Sequence, residues 1–148
     1  MPGFLPDTSC MVAAVCVWHE HHDRAAEEIE RRLRRGEKMI VAAPALVEGY
    51  AMLTRLPFPH RLSPEDAFAL LEANFMRSTI IALDRTSYRT LLRRATDDGI
   101  SGGRIYDAVI AACARKTKAN ALLTFNAGDF QFLTETGTEI VVPGGRGR

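Results

Sequence analysis

The chain has 148 residues, 47% apolar and 25% charged, with a formal net charge of +1 at pH 7. That is the size and composition of one ordinary globular domain, able to bury a core without disulfide staples. No stretch approaches the roughly 20 apolar residues of a membrane span, no secretory signal pattern opens the chain, and the near-zero net charge leaves nucleic acid open as a partner.

Residues 4–6 read as the end of a short first strand, weakened by two prolines. Residues 8–17 are small and apolar and suit a buried helix. Residues 23–35 are strong helix formers stopped by Gly36. Residues 39–43 predict a second strand. Pro44 then suits the first turn of a helix running to about Leu56 and broken by Pro57 and Pro59. Ser63, Pro64, Glu65 and Asp66 form a helix start, and that helix runs to about Phe75. A third strand is predicted over 79–83, and Asp84 caps a helix to about Asp97. A flexible loop over 99–104 leads into an alanine-rich helix over 105–116. Fourth and fifth strands are predicted over 121–125 and 139–142.

This alternation predicts an α/β fold: a single domain over 1–143 with a central, mainly parallel sheet of about four or five strands flanked by helices. The basic segment 144–148 reads as a disordered tail. Cys10, Cys16 and Cys113 lie among apolar neighbours with no zinc spacing, as buried thiols of a reducing cytoplasm do. The basic runs at 31–35, 93–94 and 115–118 read as solvated outer faces. His19, His21 and His22 form a local run without a distant metal-ligating partner.

Four acids, Asp7, Glu48, Asp107 and Asp129, stand where strand pattern gives way to helix, each in or beside an apolar stretch. A carboxylate there is costly unless compensated. In open α/β sheets, ligands bind at the carboxyl ends of the strands, near a switch in strand order. Asp7 and Asp129 follow the first and fourth strands, and Glu48 and Asp107 fall in the first turns of their helices. The alternative is that some merely cap helices, where the dipole favours an acid; Asp66 and Asp84 fit that description. Converging carboxylates repel each other, and a hard divalent cation relieves the repulsion. The pattern points to a metal site for phosphate chemistry.

Leu5-Pro6-Asp7-Thr8-Ser9, the run from Pro44 to Glu48, the run from Arg104 to Ala108 and the run from Leu123 to Phe130 follow one another along nearly the whole chain. Together they resemble the PIN-domain ribonucleases, specifically the VapC toxins of toxin–antitoxin pairs. The resemblance implies that Asp7, Glu48, Asp107 and Asp129 hold Mg²⁺ or Mn²⁺, that Thr8 shapes the first loop and that Thr124 hydrogen-bonds the last acids. It implies a toxin that cleaves structured RNA, tRNA or rRNA, endonucleolytically in the cytoplasm. It also implies a homodimer and a cognate VapB-like antitoxin. The antitoxin is expected along grooves beside the helices from Pro44 and Pro64, where Leu53, Leu56, Phe58, Phe68 and Leu71 crowd together, with a basic side chain reaching the acids. Arg104 is the candidate phosphate contact, or else a solvent-facing loop residue. Asn126 stands where the family often carries Asp, and Asp129 is the assigned ligand, directly or through water.

Three rival readings remain at the level of sequence. An Asp-nucleophile phosphatase favours a second acid two residues after Asp7, where Ser9 stands. A receiver domain favours paired acids after the first strand, and Asp7 is alone. A non-catalytic PIN-type RNA-binding or adaptor protein draws on Asn126 only.

Overall fold

The strand expected to be weakened by prolines is the centre of the sheet, with Pro2 before it and Pro6 at its end. In the computed structural model, which describes residues 2–145 apart from the side chains of Phe132 and Glu135, β1 (Gly3–Pro6) is buried along its whole length. It lies between β2 (Lys38–Ala42) and β4 (Ala121–Leu123), parallel to both. Proline lacks a donor for the ladder. Pro6 is tolerated because it is the last residue of the strand, and the Asp7 N–H takes up the ladder, donating to the Leu123 carbonyl at 2.9 Å. β3 (Thr79–Ile81) and β5 (Glu139–Val141) complete a five-stranded parallel sheet in the order β3-β2-β1-β4-β5.

The chain thus moves from β1 to one edge, then returns to the other side of β1. Right-handed crossovers place α1 (Thr8–Val15), α2 (His22–Arg34), α3 (Ala43–Leu53) and α4 (Pro64–Asn74) on one face. α5 (Arg85–Asp97), α6 (Arg104–Thr117) and a run of 3₁₀ turns, Ala127–Thr136, cover the other. Packing follows the same division: α1 rests on α2 and α3, α3 on α4, α5 on α6, and α6 on the 3₁₀ run. α3 and α6 also meet. Phe4, Leu5, Val41, Leu122 and Leu123 form the middle of the core.

Local signals account for most boundaries. Gly36 ends α2 with φ +85°. The Glu37 N–H reaches the Arg32 carbonyl and the Gly36 N–H the Leu33 carbonyl, the paired bonds of a Schellman stop. Asp84 caps α5 by accepting the Ser87 N–H at 2.8 Å. Asp66 is not a cap but is itself capped: its N–H donates to the Ser63 hydroxyl at 3.1 Å. α3 stops at Leu53, short of the expected Leu56, and the Thr54 hydroxyl donates back to the Tyr50 carbonyl. β4 is shorter than predicted because Thr124 and Phe125 leave the strand. The 3₁₀ run lies in a segment whose sequence has no helical period, yet it buries Phe130 and Leu133. Of the predicted tail, Gly144 and Gly145 belong to a turn, with the Gly145 N–H on the Val142 carbonyl, and 146–148 lie outside the described residues.

The basic run in α2 is only partly an outer face. Arg34 is exposed, but Arg32 is buried. Arg32 Nε donates to Glu28 Oε2 at 2.8 Å and Nη1 to Glu37 Oε1 at 2.9 Å, with its guanidinium over the Phe4 ring. Glu28, 1% exposed, also accepts from Arg31 at 2.5 Å. This network clamps α2 onto β1 and β2. Removing one partner of a buried pair leaves the other charge uncompensated, at a cost of about 3–5 kcal/mol. Glu28→Ala is therefore expected to lower the unfolding free energy in urea by about that amount. Glu30→Ala, at the exposed Arg34 pair, is expected to change it by less than about 1 kcal/mol. Similar small losses at both positions would contradict the clamp.

Candidate active site

The register of β1 and β4 pairs Pro6 with Leu123. One step beyond, Asp7 and Thr124 stand side by side at the switch in strand order. Asp7 is 2% exposed and is the N-cap of α1. Its Oδ1 accepts the Cys10 N–H at 2.9 Å and the Ser9 hydroxyl at 2.7 Å, and its Oδ2 accepts the Thr124 hydroxyl at 2.6 Å. Burial pushes the Asp7 carboxyl above the usual carboxylate range; those three hydrogen bonds pull it back, and Glu48 pushes it up again. The family resemblance implies Thr124 beside the last acids. The structure instead gives its hydroxyl to the first acid while the Asn126 N–H donates to it at 2.9 Å, so Thr124 links the two segments.

Glu48, in the second turn of α3, accepts the hydroxyl of buried Thr8 at 2.5 Å. Thr8 is thus the first residue of α1 and a clamp on Glu48, more than a loop-shaping residue. Asp107 is the fourth residue of α6 and half-buried. Its carboxyl is raised to about 6, first by burial and then by the charges of Asp129, Asp7 and Glu48, with a hydrogen bond to Asp129 favouring the protonated form. The four sequence-predicted acids therefore share one electrostatic neighbourhood. Asp129 is exposed, in the 3₁₀ run, with its N–H on the Asn126 carbonyl at 3.0 Å.

Among the described residues, no three His, Cys, Asp or Glu side chains close tightly enough to encage an ion by themselves. Mg²⁺ does not ask for that, because it commonly uses one or two carboxylates and keeps several waters. A half-buried carboxyl raised to about 6 by burial and then by three other acids is the kind of place a hard cation relieves. The donor set therefore fits Mg²⁺ or Mn²⁺.

The acids lie between two hollows. One, of about 420 Å³, contains Asp129, Arg104, Arg94 and Arg115. The other, of about 520 Å³, contains Glu48, Tyr88, Tyr106 and Arg55. Arg104 is exposed at the first turn of α6, with Gly103 before it. The histidine run packs rather than converges: His21 stacks on Phe125 at 4.4 Å, Trp18 on His60 at 4.1 Å, and the His22 ring bonds the Ala13 carbonyl at 3.0 Å. All three cysteines are buried free thiols. Sequence reasoning passes over Ser9 as a support for Asp7; its position in Asp-Thr-Ser, two residues into a capped helix, is the available signal.

The PIN domain family model matches residues 4–132. The chain belongs to the PIN-domain family. Within it, the chain is 42% identical over 117 residues to Ribonuclease VapC40 of Mycobacterium tuberculosis, covering 79% of this chain and 82% of that one. It is 32% identical over 130 residues to Ribonuclease VapC27 of the same organism, covering 88% and 82%. Its fold matches the crystal structure of VapBC2 from Rickettsia felis bound to a promoter DNA fragment, with a TM-score of 0.67 at 20% identity over 95% of this chain and 99% of that one. No helix among the described residues of this PIN domain is long and apolar enough to cross a membrane.

An acid raised in the folded state destabilises the fold as its charge appears, here as pH rises from about 4 through about 6. In metal-free protein, Asp107→Asn removes that penalty. The melting temperature of the variant relative to wild type is expected to be higher at pH 7.5 than at pH 4.5, and added Mg²⁺ to shrink the gap by stabilising wild type. A pH-independent difference between the two proteins would mean that the fold does not raise the Asp107 carboxyl.

Proposed function

We propose that this PIN-domain protein is the toxin of a toxin–antitoxin pair and a metal-dependent endoribonuclease acting in the cytoplasm. The observation that carries the proposal is the gathering of Asp7, Glu48, Asp107 and Asp129 at the β1/β4 switch, in a chain of the VapC group. Its substrate is proposed to be structured RNA, tRNA or rRNA, whose unpaired loops expose bases for recognition.

Asp7 and Asp107 are proposed to hold Mg²⁺ or Mn²⁺, with Glu48 and Asp129 contributing directly or through water. Such an ion lowers the pKa of bound water and offsets charge at the phosphate. The chain's own residues prepare the site. Ser9, the Cys10 N–H and Thr124 fix both oxygens of Asp7, and Thr8 fixes Glu48. Asp107 keeps a proton below about pH 6, so cation binding releases protons and strengthens as pH rises through that value. Asn126 offers an amide oxygen in place of a carboxylate, and its main chain supports Thr124.

The partner is proposed to be a cognate antitoxin, and the toxin itself a homodimer. The apolar face expected for the antitoxin is narrower than the sequence suggests. Leu53 and Leu71 are core, and Leu56 is half-buried. Phe58, 86% exposed, and Phe68, 50% exposed, remain for a partner. A basic antitoxin side chain among the acids neutralises the same repulsion as the cation, so the two compete.

Asp7→Asn is expected to lower RNA cleavage by at least about 100-fold, and Thr124→Val by about 10–100-fold, the usual loss for a residue that orients a metal ligand. Asp7→Asn should still fold, since its amide can donate to the Thr124 hydroxyl. Millimolar Mg²⁺ should raise the melting temperature of wild type by mass action and raise that of Asp7→Asn less. Undiminished cleavage by Asp7→Asn, or by wild type in excess chelator, would falsify the metal-dependent reading. Co-expression with the neighbouring gene is expected to yield a stable complex without nuclease activity. Failure to form one, together with harmless induction of this chain alone, rules out the toxin reading.

A further inference from the structure

Two basic runs that read as solvated faces in the sequence meet in the fold. Arg94 stands in the last turn of α5 and Arg115 near the end of α6, and both line the hollow of about 420 Å³ that reaches Asp129. Arg104 lines the same hollow. Arg115 is also a wall of two further hollows, one bordered by Thr90 and Lys116 and the other by Lys118 and Asn120. Arg94, Arg104 and Arg115 therefore line one furrow, the hollow that reaches Asp129. Asp98 and Asp129 line it as well. Among the described residues, neither Arg94 nor Arg104 is paired with a carboxylate. The Lys116 ammonium is turned to the Ala82 carbonyl at 3.0 Å and does not occupy the furrow's arginines. Burial and the nearby Arg94 both oppose the charge on Arg115.

Guanidinium groups drawn together in a concave surface are relieved by an anion, and their forked donors match phosphate oxygens. We propose that this furrow binds the phosphates of the RNA strand flanking the bond to be cleaved, and so leads the strand to the acids at its Asp129 end. The choice of RNA as the phosphate carrier rests on the ribonuclease reading; the phosphate chemistry of the furrow does not. Continuity decides between an RNA strand and an acidic peptide, because the furrow opens onto Asp129, which adjoins Asp107. A backbone contact positions a strand and carries no base information. The furrow therefore supplies affinity for any RNA, and target choice lies elsewhere.

The test uses the full chain carrying Asp7→Asn, so that RNA is not consumed. Inorganic phosphate is titrated while the arginine Nε–H signals are followed by NMR. Arg94, Arg104 and Arg115 are expected to shift together and saturably, ahead of Arg77 and Arg89. Binding of an oligouridylate and an oligoadenylate is then measured against salt. Removing one arginine–phosphate interaction should lower the slope of log affinity against log salt by about 0.7 for single strands. Arg94→Gln is expected to lower it by about that much and Arg94→Gln/Arg104→Gln by about twice as much, for both oligonucleotides alike. Both positions are exposed, so folding is not at stake as it is at half-buried Arg115. Phosphate shifts spread evenly over all arginines, or an unchanged slope in Arg94→Gln, overturn the proposal. If wild type cleaves RNA while Arg94→Gln keeps its slope, the furrow falls and the ribonuclease reading stands. If the slope falls as expected while wild type cleaves no RNA, the furrow stands and the ribonuclease reading falls.

Discussion

A buried carboxylate at the end of the central strand governs this molecule. Asp7 is carried inside by β1, which is covered on both sides by neighbouring strands and on both faces by helices. Burying an anion costs several kcal/mol unless it is hydrogen-bonded or paired. Here the compensation comes from three donors on two segments: Ser9 and Cys10 from the turn that begins α1, and Thr124 from the end of β4. The compensation is incomplete, and the carboxyl remains raised. What the three donors leave uncompensated, a cation can supply.

The contrast with Glu28 clarifies the point. Both carboxylates are buried to a similar degree. Glu28 meets Arg31 and Arg32 at hydrogen-bonding distance and closes a charge-balanced network. Asp7 meets hydroxyls, an amide and another acid, with no cation beside it among the described residues. One arrangement holds a helix to the sheet. The other leaves negative charge concentrated at an opening, where Asp107 is raised further by three like charges. Among the described residues, no buried polar side-chain atom lacks a partner, so the imbalance is one of charge, not of hydrogen bonding.

The surroundings of the acids are unequal. Arginines of α5 and α6 line one side, and tyrosines with Glu48 line the other. Cations beside an acidic centre steer a polyanion without neutralising the acids, provided they sit at a distance the strand can bridge. The exposed phenylalanines lie elsewhere, in and before α4. The proposed RNA path and the proposed antitoxin face are thus separate surfaces, the one lined by arginines and the other by exposed phenylalanines.

The alternation of elements, the candidacy of the four acids and the helix stop at Gly36 were legible without coordinates, because turn chemistry and strand–helix periodicity are local properties; the earlier stop of α3 at Leu53 was not. Gly36 and Asp84 act over three or four residues, and their roles follow from those residues alone. The 3₁₀ run, the burial of Arg32 and the partner of Thr124 were not legible. Each depends on what packs across the sheet: Phe130 and Leu133 are pulled into the core without a periodic signal, Arg32 is drawn in by Glu28 and Glu37, and Thr124 turns to Asp7 because the β1–β4 register puts it there. The arginines of the furrow belong to the same class, since Arg94 and Arg115 look alike as solvated residues until α5 packs on α6. The sequence by itself determined which residues carry charge and where helices begin. Only the tertiary structure decided which charges meet, because electrostatic energy depends on separation in space, and separation along the chain does not set it.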